Sequence, residues 1–127
     1  MELLYADKRI AVAVKPPGVL STDEPGGMPE LLRAQLGTPC IRTVHRLDAA
    51  TGGVMVFSRR REVTGKLTAA VQAHELVKEY LAVLRGHPQE PAATLTDLLF
   101  RDAGRNKSYV VKRPRKGVRE ALSLIHI

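Results

Sequence analysis

The chain of 127 residues contains no tryptophan, two phenylalanines, three tyrosines and a single cysteine. So few aromatic side chains do not make a stacking platform for single-stranded nucleic acid, because such platforms need successive rings along a groove. One cysteine cannot form an internal disulfide and has no second thiol for a zinc knuckle. Cys40 therefore reads as a small buried hydrophobe. Long apolar runs are also missing. Asp7, Lys8, Arg9 and Lys15 interrupt the first twenty residues, leaving neither a signal-peptide core nor a membrane span. The expectation is a cytoplasmic protein. There is no internal repeat and no low-complexity tract.

What the sequence has in excess is positive charge. Lysine and arginine number 20 against 13 aspartates and glutamates, a net charge of +7. The signs are too mixed for a disordered tail, and the 44% hydrophobic content suffices for one buried core and not two. One domain, or part of one, is expected, with a polyanionic partner. Nucleic acid suits it better than a membrane surface, since no basic amphipathic helix stands out. Residues 101–120 hold eight basic and two acidic side chains and so supply most of the excess. They form either a phosphate-binding surface or a solvated basic face.

Local patterning divides the chain into short elements. Residues 3–5 and 10–14 are β-favouring runs around Asp7-Lys8-Arg9, and Lys15-Pro16-Pro17-Gly18 ends the second run. Residues 21–27 read as polar and flexible. Pro29 then opens a helix with Leu31, Leu32 and Leu36 on one face and Gly37 at its end. Val54-Met55-Val56-Phe57 is apolar on both alternating faces, the pattern of a central strand covered on two sides. Residues 62–74 have helical spacing at Val63, Leu67, Ala70 and Val71, and residues 80–84 read as another apolar strand. A loop over 85–93 precedes two strands, 94–100 and 107–112, joined by a turn. Strands mixed irregularly with two helices predict an α+β domain with a mixed, mainly antiparallel sheet flanked by helices.

Residues 43–59, TVHRLDAATGGVMVFSR, read as a reaction site. A catalytic aspartate must be ionised, rigidly held and reachable. Near Asp48, the basic His45 and Arg46 favour the ionised form, while Gly52 and Gly53 permit close approach of a ligand or a neighbouring backbone. No second carboxylate has the spacing of a glycosidase pair, and no cluster suits a two-metal nuclease. His45 and Asp48 alone are too few ligands for a metal. On spacing alone, Asp48 capping a turn in an ion pair with Arg46 is the competing reading.

The run His45-Arg46-Leu47-Asp48-Ala49-Ala50-Thr51-Gly52-Gly53 closely resembles the HRLD-x-x-T-[SG]-G signature of the RluA/RluD-like pseudouridine synthases. Lys15-Pro16-Pro17-Gly18 is similar to that family's K-P-x-G element, and Lys78-Glu79-Tyr80-Leu81-Ala82-Val83 to its K-x-Y-x-A-x-V element. The resemblance implies the family's catalytic-domain fold and isomerisation of uridine to pseudouridine in ribosomal or transfer RNA, without a cofactor or metal. It implies that Asp48 is the catalytic aspartate and that Tyr80 stacks on the base and assists removal of the proton from carbon 5. Arg46 would fill the space left by the flipped base or grip a phosphate, and His45 would order the loop or contact phosphate. Thr51, Gly52, Gly53, Lys78, Lys107 and Lys112 would lie along the RNA. The alternative is a non-catalytic basic RNA-binding fragment, in which Asp48 only orders a loop.

The chain departs from the family in one respect: nothing in it matches the later T-G-R-x-H-Q-I-R-like element, whose arginine is expected to pair with the catalytic aspartate. Residues 1–121 are accordingly expected to be the N-terminal portion of the catalytic domain, incomplete at its C-terminal side. Residues 122–127, Leu-Ser-Leu-Ile-His-Ile, match the translation of a transposase adapter used in sequencing libraries and are expected to be a non-native read-through tail. An ordinary apolar strand is the alternative for them.

Overall fold

The first turn is made by one carboxylate. Asp7 Oδ1 accepts the backbone N–H groups of Ile10 and Arg9, both at 2.7 Å, which hold its carboxyl below the usual range. The chain reverses there, so that β1 (Leu3–Ala6) lies antiparallel to β2 (Ile10–Lys15). This is the strand pair the sequence predicts. The computed structural model describes residues 1–126, and it divides into two units, Met1–Tyr80 and a second that begins at Leu81.

In the first unit β2 alternates strictly. Ala11, Ala13 and Lys15 are buried, while Ile10, Val12 and Val14 are partly covered. Its partner is β4 (Gly53–Ser58), in a register that sets Ala13 opposite Met55 and Ala11 opposite Phe57. Small side chains thus face large ones across the ladder. The same register sets Lys15 opposite Gly53, bringing the prolines after β2 to the loop before β4. A two-residue strand, β3 (Arg42–Thr43), pairs with the other edge of β4 and completes the order β1-β2-β4-β3.

The core lies on the face carrying Ala13, Met55 and Phe57, covered by Met28, Leu32, Ile41 and Leu47. Each of the larger side chains contributes about 1.5–3 kcal/mol on burial. The helix α1 (Met28–Leu36) begins with Pro29 in its first turn and ends at Gly37, whose φ of 59° is the left-handed cap expected of glycine. Its inward face is Met28, Leu32 and Leu36, spaced by four, whereas Leu31 points away and is 38% exposed. The face expected from Leu31 is corrected accordingly.

Two further expectations change in this unit. β4 is central but unevenly covered: Met55 and Phe57 are buried on one face, while the other runs from Val54, 57% exposed, to Ser58, which is fully buried. Apolar character on both faces allowed double coverage; α1 covers the Met55 and Phe57 face along its length, and α2 meets the strand at Ser58. Residues 21–27 are held and not free: Ser21 is buried, Asp23 forms a two-pronged ion pair with Arg33 (2.6 and 2.9 Å), and Glu30 accepts the Gly26 N–H. The helix α2 (Arg61–Gln72) follows β4 and is fastened to it by the Ser58 and Thr64 hydroxyls, 2.7 Å apart. Val63, Leu67, Ala70 and Val71 are half-buried along it, as their spacing predicts.

The second unit is a three-stranded sheet of β5 (Ala92–Asp102), β6 (Lys107–Val111) and β7 (Val118–His126) in the order β6-β5-β7. The predicted strands over 94–100 and 107–112 correspond to β5 and β6. Asp102 Oδ1 accepts the Arg105 N–H within their turn, and Asn106 takes a positive φ of 49°. Residues 122–126 lie in β7, paired with β5 from Thr96↔Leu122 to Ala92↔His126; Ile127 lies outside the described residues. The apolar run over 80–84 forms no strand. A strand must pair its N–H and C=O groups, and no ladder reaches these residues; Leu81 and Val83 are fully exposed. The fold is α+β, as expected, but its strands form two sheets, and every pairing among the described residues is antiparallel.

Candidate active site

At the common end of β2 and β4 the chain spends a lysine on its own backbone. Lys15 is completely buried, and its Nζ donates to the carbonyls of Val19 (2.6 Å), Ala49 (3.0 Å) and Pro16 (3.1 Å). An ammonium out of water is tolerated only when its three protons are all used in this way. Gly18 N–H adds a second bond to the Ala49 carbonyl at 2.7 Å. The Pro16-Pro17-Gly18 turn and the Asp48 loop are therefore joined at the residue directly after Asp48.

The residue directly before it is held as firmly. The buried Ser21 hydroxyl donates to the Leu47 carbonyl at 2.6 Å and accepts the Leu47 N–H at 3.0 Å, and Thr43 Oγ1 donates to the Ser21 carbonyl. Leu47 itself is in the core. The Asp48 carbonyl accepts the Thr51 N–H at 3.0 Å, closing the turn from within. Asp48 is thus fixed on both sides while the residue itself is exposed, and among the described residues no ion pair joins it to Arg46. The backbone that carries Asp48 is held in place, and none of these bonds uses its carboxylate oxygens.

The two glycines serve the same joint. A side chain on Gly52 would meet the Pro17 ring at 3.1 Å, and Gly53 has a φ of +150° with Leu47 Cδ1 at 3.4 Å from where its Cβ would be. The close approach foreseen at this pair is made by the chain's own Pro17. His45 is half-buried, and its Nε2 accepts the Val56 N–H at 3.1 Å, the amide next in line where β3 stops pairing with β4. The ring must be neutral, with its proton on Nδ1, to accept this bond. Burial, and secondarily the charge of Lys78, lowers its pKa below the ordinary imidazole value.

The other expected residues are more dispersed. Arg46 is exposed on the loop, and Thr51 is part of the turn. Lys78 and Tyr80 are exposed in the irregular segment after α2, with Tyr80 61% accessible. Lys107 starts β6 opposite Asp102, and Lys112 is exposed just beyond that strand. Within the basic region, Arg105 approaches Asp102 at 3.9 Å, Arg101 bonds Asn106, and the Arg115 guanidinium sits 4.6 Å from the Phe100 ring centre. No group of three or more His, Cys, Asp or Glu side chains among the described residues could hold a metal ion, and no helix is long and apolar enough to cross a membrane.

Sequence reasoning missed the clamp. The alternation Ala11-Ala13-Lys15 placed the lysine on the inward face, a signal that was available in β2. Ser21 had no such signal, because its partner is 26 positions away.

The sequence profile of the family described as RNA pseudouridylate synthase matches residues 9–127. The chain belongs to this family. Among relatives, the dual-specificity RNA pseudouridine synthase RluA of Escherichia coli (strain K12) is 39% identical over 101 residues, which cover 76% of this chain and 45% of that protein. The RluA of Vibrio vulnificus (strain CMCP6) is 36% identical over 91 residues, covering 68% and 36%. The chain thus spans less than half the length of these relatives. The structure of human RNA pseudouridylate synthase domain containing 1 superposes with a TM-score of 0.75 at 25% identity, covering 97% of this chain and 49% of that one. That of domain containing 4 also gives 0.75, at 22% identity, with 95% and 51% covered. Two of the three sequence marks that resemble the synthases are the loops that the Lys15 clamp unites.

Proposed function

We propose that this chain is the part of an RNA pseudouridine synthase that carries the catalytic aspartate, isomerising uridine to pseudouridine in ribosomal or transfer RNA in the cytoplasm. The observation that supports this most is the state of Asp48: flanked by pinned neighbours, exposed, and committed to no ion pair. A residue that only capped a turn would use its side chain to do so. Here the turn is closed by backbone. In the reaction, a target uridine leaves its stack and Asp48 initiates breakage of the bond between ribose and uracil nitrogen 1. The freed base turns and rejoins through carbon 5. No cofactor enters, because the same base is released and recaptured. Tyr80 assists at carbon 5; Arg46, Thr51, Gly52, Gly53, Lys78, Lys107 and Lys112 lie along the RNA, and His45 orders the loop from behind.

The test is Asp48→Asn, assayed for pseudouridine in ribosomal and transfer RNA lacking the modification, alongside RNA affinity. The exchange keeps the shape and removes the charge, so isomerisation is expected to vanish while the dissociation constant changes by less than about twofold, under 0.5 kcal/mol. Retained isomerisation would remove Asp48 from the mechanism. A wild-type chain that binds RNA without isomerising it would leave the RNA-binding reading in its place.

A further inference from the structure

At the other end of β4 lies a cavity of about 430 Å³, open to solvent, whose lining includes Lys8, Arg59, Arg60 and Arg61 together with a single acid, Glu62. Four cations and one carboxylate leave a local excess of three positive charges. Arg60 spends part of itself locally, with its Nε on the Lys8 carbonyl at 3.1 Å and Nη1 3.8 Å from Glu62. Arg59 reaches the Asp7 carbonyl through Nη1, yet its Nε is buried without any hydrogen-bond partner. Lys8 and Arg61 are exposed. The helix α2 starts at this cavity with no side-chain cap, so the unpaired N–H groups of its first turn add to the positive field.

Such convergence is costly unless something negative completes it, because like charges repel. The oxygens of a phosphate group answer the exposed cations and the helix start, taking N–H bonds from guanidinium forks and from backbone N–H groups. We infer that the cavity between the β1–β2 turn and the start of α2 is a second phosphate-binding site, which holds the backbone of the bound RNA away from the reacting nucleotide. The six residues of β4 separate it from the Asp48 loop, roughly 17 Å at ~3.3 Å per strand residue. The assignment rests on RNA being the substrate. It gives the first unit its own grip on RNA, independent of the basic residues of the second.

Cys40, partly exposed and not the buried hydrophobe expected, also lines the cavity; it is the only cysteine of the chain and reports on occupancy. The experiment follows iodoacetamide labelling of Cys40 by intact mass, with a short RNA hairpin carrying loop uridines, and separately with inorganic phosphate. With RNA at ten times its dissociation constant, labelling is expected to slow about tenfold, because about one chain in ten is free. In Lys8→Gln/Arg61→Gln the protection is expected to disappear, and the slope of log affinity against log salt to fall by about 1.4, two contacts at ~0.7 each. Asp48→Asn should retain both. Bound RNA that leaves Cys40 labelling unchanged, or a double variant with unaltered protection and salt slope, overturns the site. Protection by phosphate and not by the hairpin overturns its assignment to RNA. Pseudouridine is measured on the same hairpin: protection without isomerisation supports this site and leaves the reading of Asp48 to its own test, whereas isomerisation without protection removes this site alone.

Discussion

Lys15 shows how a charged side chain can act as a structural pin. Its ammonium bonds three carbonyls, so a methionine of similar length would leave the Val19 carbonyl without that partner and the Ala49 and Pro16 carbonyls with only the backbone N–H groups of Gly18 and Val19. At about 1–3 kcal/mol for one abandoned carbonyl, Lys15→Met is expected to cost about 1–3 kcal/mol. Urea denaturation would show this as a lower midpoint with little change in slope. His45 predicts a dependence on pH. Its pKa is lowered in the folded chain, so the unfolded chain binds the proton more tightly, and stability is fully present above the ordinary imidazole value. It is lost as pH falls through that value toward the lower folded one, when a proton on Nε2 would displace the Val56 N–H. Between about pH 8 and pH 5 the urea midpoint of the wild type is expected to fall further than that of His45→Gln. Equal falls would show that His45 does not carry the effect.

Between elements, the decisive contact is that of two loops. The β2–β4 register brings the Pro17 ring against Gly52, and the bonds to Ala49 and Leu47 turn that contact into a fixed position for Asp48. Gly52→Ala would press a methyl group on Pro17 at 3.1 Å and move the loop by a few tenths of an ångström. Catalytic groups tolerate displacement poorly, so pseudouridine formation is expected to drop about tenfold with less than about 1 kcal/mol of stability lost. Adding Pro17→Ala should restore most of the rate, because it removes the atoms in contact. An additive pair of losses would mean that the glycine matters for some other reason. Much of this element-level arrangement was legible in the sequence. The strand pair around Asp7, the helix between Pro29 and Gly37, the helix after β4 and the hairpin around Asn106 all announce themselves through local turn chemistry and periodicity. The strand expected over 80–84 failed because composition can favour extended backbone but cannot supply a partner ladder.

At the scale of the whole molecule, two units are joined by a stretch without regular structure between α2 and β5. Its backbone has no ladder or helix to protect it, and Lys78 and Arg85 within it are exposed. Limited trypsin digestion is expected to cut first at these two residues, before the more numerous basic sites within strands and helices, and mass spectrometry of the first fragments would show it. First cuts inside β5 or α2 would indicate instead that those elements open more readily than the connecting stretch.

The sequence alone determined the α+β class, the basic character and the local turns and helix ends, and it singled out Asp48 for the proposed chemistry, because each depends on neighbours in the chain or on a short motif. Only the tertiary structure decided how Asp48 is held, why Gly52 must be small and what His45 bonds. Those contacts join residues 11 to 35 positions apart, and no local pattern records which of many polar groups will meet once β2 and β4 are in register. The basic cavity belongs to the same class. Lys8 and the three arginines from Arg59 stand fifty positions apart in the chain, and it is the pairing of Ile10 with Ser58 that makes them one site.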